Sequence, residues 1–124
     1  MEQADRDFCR AVTDRDVERF KTFVAEDAVF HGAKGSTRGR EAVARAWAPL
    51  MAADRTTTLV WEPSRSEASS SGDLGYTEGE YERTSVGPDG NAVKAYGTYV
   101  TIWRKHADGS WKAVLDIGTP PAPG

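Results

Sequence analysis

The chain has a single cysteine, Cys9, among 124 residues, so an intramolecular disulfide framework and a cysteine-based zinc site are both excluded. Only two histidines are present, His31 and His106, with no HExxH pair and no EF-hand pattern, so a dedicated metal site is not expected. No apolar run approaches the roughly 20 residues that span a bilayer, and Met1 leads straight into the polar segment EQADRD without a signal-peptide core. A soluble, cytoplasmic protein without membrane contact is therefore expected. Positive charge is also scarce: the net charge is −3 and Lys and Arg are scattered, so the basic face that nucleic-acid phosphates require is missing. What remains is ordinary for a globular protein. The apolar fraction is 39%, and the length suits one domain with a real core.

The first 50 residues read as helix and the last 65 as strand, an α+β segregation rather than βαβ alternation. Ala4, Phe8 and Val12 mark an amphipathic helix over about 3–13. Thr13 or Asp14 is placed to cap a second helix, on which Val17, Phe20 and Val24 share a face. DAVFHG reads as a short strand ending at Gly32, and GAKGSTRG as a loop that lacks the residue order of a phosphate loop. From Arg40, the residues Val43, Ala46, Trp47, Leu50 and Met51 form one stripe, with Pro49 expected to kink or end the helix. TTTLVWEP is a strand followed by a serine-rich link. LGYTEGEYERTSV, AVKAYGTYVTIWRK and SWKAVLDI are strands joined by the turns GPDG and HADG. Residues 1–118 form one domain in this reading, and 119–124 a Pro-rich tail unable to pair in a sheet.

The hairpin around HADG carries the most information. A four-residue loop puts Tyr99 opposite Asp116, and a two-residue loop puts Thr101 there. In both cases Tyr99, Thr101, Trp103, Val114 and Asp116 share one face, and Val100, Ile102, Trp111, Leu115 and Ile117 the other. Neither face is polar enough for water, so helices should cover one, and the other is a candidate dimer surface or is covered by the chain's own tail or left partly exposed. A carboxylate among apolar neighbours is costly without a partner, which makes Asp116 the leading candidate for chemistry. Two roles are open to it. With a raised pKa it can act as general acid or base, or it can accept a hydrogen bond from Tyr99, Thr101 or a backbone amide and only order the wall. His31, at the end of the first strand, is the second catalytic candidate, and His106 in its hairpin loop is expected in solvent.

The order helix, helix, short strand, GR-initiated helix and long antiparallel sheet resembles the NTF2-like superfamily, in its SnoaL-like, DUF4440-type and ketosteroid-isomerase-like branch. FCRAVTDRDVERFKTFVAEDAVF, RGREAVARAW, SGDLGYTEGEY and GTYVTIWRKHADGSWKAVLD carry the resemblance. It implies a cone: three N-terminal helices packed on a strongly curved antiparallel β-sheet around a deep, mostly apolar pocket, and in many members a homodimer through the sheet. It points Gly75, Thr77, Gly79 and Tyr81 inward and Glu78, Glu80 and Glu82 outward. The isomerase's own chemistry does not carry over. The resemblance places its base at Gly32, its tyrosine at Phe8 and its protonated aspartic acid at Thr101. The expectation is then a small-molecule-binding protein, with no cofactor, using Asp116 and His31 on a small apolar or aromatic ligand. Phe30, Trp47, Trp61, Tyr99, Thr101, Trp103 and Val114 would shape the site. The alternative is a non-catalytic ligand-binding or dimerisation module.

Overall fold

A computed structural model describes residues 1–32 and 35–119. Three helices, α1 (Glu2–Thr13), α2 (Val17–Thr22) and α3 (Arg40–Trp47), pack on one curved six-stranded sheet. Its strands are β1 (Val24–Gly32), β2 (Gly35–Arg38), β3 (Thr58–Ala68), β4 (Leu74–Val86), β5 (Ala92–Lys105) and β6 (Trp111–Thr119), in the order β2-β1-β6-β5-β4-β3. All neighbouring pairs are antiparallel except β1 and β6, which run parallel, so the sheet is mixed rather than wholly antiparallel. The expected tail begins at Thr119, which is still strand. Its remaining residues, 120–124, lie outside the described residues, as do Ala33 and Lys34 of the expected loop.

Local chemistry accounts for the departures from the sequence reading. Asp16, not Thr13 or Asp14, caps α2 by accepting the Arg19 amide at 3.0 Å. The helix closes after Thr22, and Val24 is the first residue of β1. The segment read as a loop after Gly32 instead returns as β2 against β1, pairing Phe30 with Thr37 and His31 with Ser36. Likewise β3 continues past Pro63 through most of the serine-rich link. It is an edge strand with an irregularity between Pro63 and Arg65, the setting in which proline's missing N–H breaks no ladder bond. Pro49 behaves as expected, with α3 giving way at Trp47 to a 3-10 turn, Ala48–Leu50. His106 is only partly in solvent: the residue is half-buried, and its Nε2 is buried with no hydrogen-bond partner among the described residues.

The core lies between the helices and the concave side of the sheet. Phe8 is its hub, with ring centroids 5.0 Å from Phe20, 5.5 Å from Trp61, 5.8 Å from Trp103 and 6.3 Å from Trp47. Such offset and edge-to-face contacts each add about 0.5–1.5 kcal/mol beyond area burial. One glycine makes a further contact possible. A Cβ on Gly97 would overlap the Thr119 carbonyl and the Tyr81 ring, so its absence lets Tyr81 cross β5 and donate its hydroxyl to Thr119 O at 3.0 Å.

The β5–β6 hairpin settles the register. Lys105 pairs with Trp111 across residues 106–110, and Thr101 pairs with Asp116. The two halves are reconciled by an irregularity at Val114, between the pairs Ile102–Leu115 and Trp103–Ala113. Residues before that point are therefore flipped relative to simple alternation. Trp111 packs against the core instead of sharing the Ile102 face, and Ala113 is fully buried.

Candidate functional site

A cavity of about 210 Å³ opens on the concave side, walled by Trp47, Leu59, Trp61, Tyr81 and Tyr99 with Asp116 among them. An engineered apolar cavity of about 150 Å³ holds benzene, so this space suits a single substituted ring. It continues outward into a wider cleft that shares Trp47, Leu59, Tyr81 and Asp116 and adds Phe30 to the wall. The apolar walls come from both sides of the core: α3 supplies Trp47, and alternation along β3, β4 and β5 supplies the remainder.

Asp116 reaches this wall because β6 places it opposite Thr101 on one side and Phe30 on the other. Thr101 donates its hydroxyl to Oδ2 at 2.8 Å, and Oδ1 has no protein partner among the described residues. One oxygen is thus fixed by the wall, and the other is not. Burial pushes the Asp116 pKa up to about 7, the Thr101 hydrogen bond opposes this, and the charge of Asp5 adds to it. A carboxyl group at that value carries both protonation states at neutral pH, as a general acid or base requires.

Asp5 is the residue that sequence reasoning missed. It lies in α1 with no exposed surface, accepting Trp61 Nε1–H at 2.8 Å on Oδ1 and Tyr99 O–H at 2.6 Å on Oδ2. Burial raises its pKa, while the bonds from Tyr99, Trp61 and Thr77 hold the charged form. The Thr77 hydroxyl in turn accepts Trp103 Nε1–H at 3.0 Å. Tyr99 is raised far above the usual phenol range by burial and by Asp5, so it keeps its proton and directs it to Asp5. Towards a ligand it can accept but not donate. Helical spacing offered the signal: Asp5, Phe8 and Val12 fall at i, i+3 and i+7, and all three are buried.

The other expected site residues divide by depth. Trp47, Trp61, Tyr99 and Asp116 meet at the inner cavity, and Phe30 joins them in the outer cleft. Thr101 and Trp103 do not line it. Both are buried behind it, Thr101 holding Asp116 and Trp103 lying fully in the core beside Phe8. Val114, at the strand irregularity, packs against the core and is not on the cavity wall. His31 borders the cavity, but its side chain is on the opposite face from Phe30, with Nδ1 2.7 Å from Ser36 Oγ. Nothing among the described residues brings three His, Cys, Asp or Glu side chains together as a metal site would. No helix among them is long and apolar enough to cross a membrane.

The same architecture recurs in solved structures. A ketosteroid isomerase-like protein from Erwinia carotovora atroseptica superposes with a TM-score of 0.79 at 19% identity, over 98% of this chain and 94% of that one. An NTF2-like superfamily protein from Salmonella enterica serovar Typhimurium gives 0.77 at 17% identity, covering 98% and 89%. The association domain of C. elegans CaMKII gives 0.73 at 11%, covering 94% and 90%. At these identities the likeness is one of fold. No curated protein matches the sequence. The family model of the SnoaL-like domain matches residues 6–114, from the helix that carries Asp5 to the hairpin that carries Asp116. Fold and sequence pattern agree, and the chain belongs to the SnoaL-like domain family of the NTF2-like fold.

Proposed function

We propose that the cavity binds a small, largely apolar molecule and that Asp116 exchanges a proton with it, without a cofactor. The observation that carries the reading is a carboxyl group with one oxygen anchored by Thr101 and the other free towards an aromatic-walled space, at a pKa of about 7. Steroid isomerisation is not the reaction proposed. Gly32 and Phe8 stand where the resemblance puts that enzyme's base and tyrosine, and Thr101 is engaged with Asp116. His31 takes no catalytic part in this reading, since its ring is turned to Ser36 on the face opposite Phe30.

Hydrogen–deuterium exchange at the methyl group of acetophenone and its ring-substituted relatives, followed by NMR, tests the chemistry. Exchange accelerated by the protein should rise with pH through about 7, because the base is the deprotonated form, and Asp116→Asn should lower it by about a hundredfold or more. An unaccelerated reaction, or equal rates in the variant, rejects the catalytic role. Binding of these ketones without exchange would leave a ligand-binding module.

The convex side supports pairing of two copies. Val60 and Tyr96 are exposed there on either side of Glu82, with Ile117 and Leu74 exposed further along the sheet. Native mass spectrometry should find a dimer, and Ile117→Lys should yield folded monomers. A monomeric wild type at tens of micromolar would exclude this pairing.

A further inference from the structure

One cation stands on the concave side of the sheet. Inward positions along β4 run Thr77, Gly79, Tyr81 and then Arg83, whose neighbours across the ladders are Leu59 on β3 and Ala95 on β5. Neither can pair with a guanidinium. Arg83 borders both the inner cavity and the outer cleft. Elsewhere Arg6, Arg19, Arg65 and Arg104 have a carboxylate oxygen within 4.0 Å, and Arg15, Arg40 and Arg55 donate to main-chain carbonyls. Like Arg10, Arg38 and Arg45, Arg83 has no such partner among the described residues, and what sets it apart from them is that it borders this space.

The inward acids do not claim it. Asp5 is closed off by Trp61 and Tyr99, and the charged group acting on Asp116 is Asp5 rather than Arg83. The cavity thus has a cation at its rim, a proton-exchanging carboxyl group within, and aromatic surface between. A guanidinium presents paired donors that match a carboxylate in plane. Arg83 is itself exposed, and in a protein of net charge −3 a cation at the mouth of a cavity draws in locally an anion that the molecule as a whole repels.

We infer that Arg83 anchors an anionic group, and that the site takes a small aromatic or alicyclic carboxylic acid whose ring lies against Trp47 and Trp61. This rests on the cavity being the ligand site, and the test separates the two. Benzoate, cinnamate and cyclohexanecarboxylate are titrated calorimetrically against their primary amides, with the indole N–H signals of the protein followed by NMR. The acids should bind about tenfold tighter than the amides. Arg83→Gln should abolish that preference while leaving amide affinity and melting temperature unchanged, and Arg83→Lys should keep part of it. Preference for the acids should also weaken as salt is raised from 50 to 500 mM, as a rim charge requires. Amides binding as tightly as acids, or acid affinity unmoved in Arg83→Gln, overturns the anchoring role while indole shifts keep the cavity as the ligand site. Failure of both series to bind overturns the two together.

Discussion

Asp116→Asn should make the protein more stable at pH 8 and leave it nearly unchanged at pH 3. The native carboxyl group titrates at about 7, well above its value in the unfolded chain. Between the two values the native state holds a proton that the unfolded state has lost, so stability falls as pH rises through that window and stays low above it. The full gap corresponds to a ceiling of ~4 kcal/mol. The side chain borders a cavity that water can enter, so about 1–3 kcal/mol is the reasonable expectation. Asparagine keeps an oxygen for the Thr101 hydroxyl and never ionises, which isolates the charge as the cause. Melting curves should separate by about 5–10 °C at pH 8 and converge at pH 3. A constant offset at both values would mean that Asp116 is not held near neutrality. A destabilising acid kept on a cavity wall is what a functional site looks like when stability and activity pull apart.

How much of this was legible before the structure depends on the kind of pattern. Alternation in β5 was enough to bring Tyr99, Thr101 and Trp103 to one side, and the cross-strand pair Thr101–Asp116 was one of the two registers considered. Alternation names a side, however, and not a depth. Trp103 is on the expected side but fully beneath the helices, packed on Phe8, whereas Tyr99, bonded to Asp5 of α1, also borders the cavity. The irregularity at Val114 left no mark in the sequence. It adds one residue to β6 and turns Trp111 to the other face, a choice made by packing on the core rather than by any turn-forming residue.

Asp5 and Arg83 were hidden for different reasons. Asp5 reads as one more polar residue of EQADRD, and what makes it special is a pair of donors, Trp61 and Tyr99, 56 and 94 residues away along the chain. Arg83 needed only one more step of the alternation that places Tyr81 inward, but its meaning depends on which neighbours lack an opposite charge. Local periodicity therefore gave the walls, while the electrostatics of the site came from contacts between distant segments.

The largest loss of stability should follow from Asp5→Ala. That change leaves Trp61 Nε1–H and Tyr99 O–H without their acceptor in a region closed to water, at about 1–3 kcal/mol for each orphaned donor. Together these predict a loss of about 2–5 kcal/mol and a melting temperature lower by roughly 10–20 °C. Asp5→Asn should be milder and more informative. Its carbonyl can still accept from Trp61, but its amide faces the Tyr99 oxygen, so the phenolic hydrogen must turn away. Tyr99 would change from a residue that can only accept from a ligand into one that can donate. Its titration should then move down towards the ordinary phenol range, since Asp5 is part of what raises it, and ultraviolet titration of tyrosinate reads this directly. The Asp116 midpoint should fall below 7 in the same variant, because the charge of Asp5 is one of the causes that hold it up. If Asp5→Asn leaves both titrations in place, the two acids are electrostatically independent. If they shift together, the helix acid sets the chemistry of the wall it never touches, and Tyr99 is the group through which a ligand would sense it.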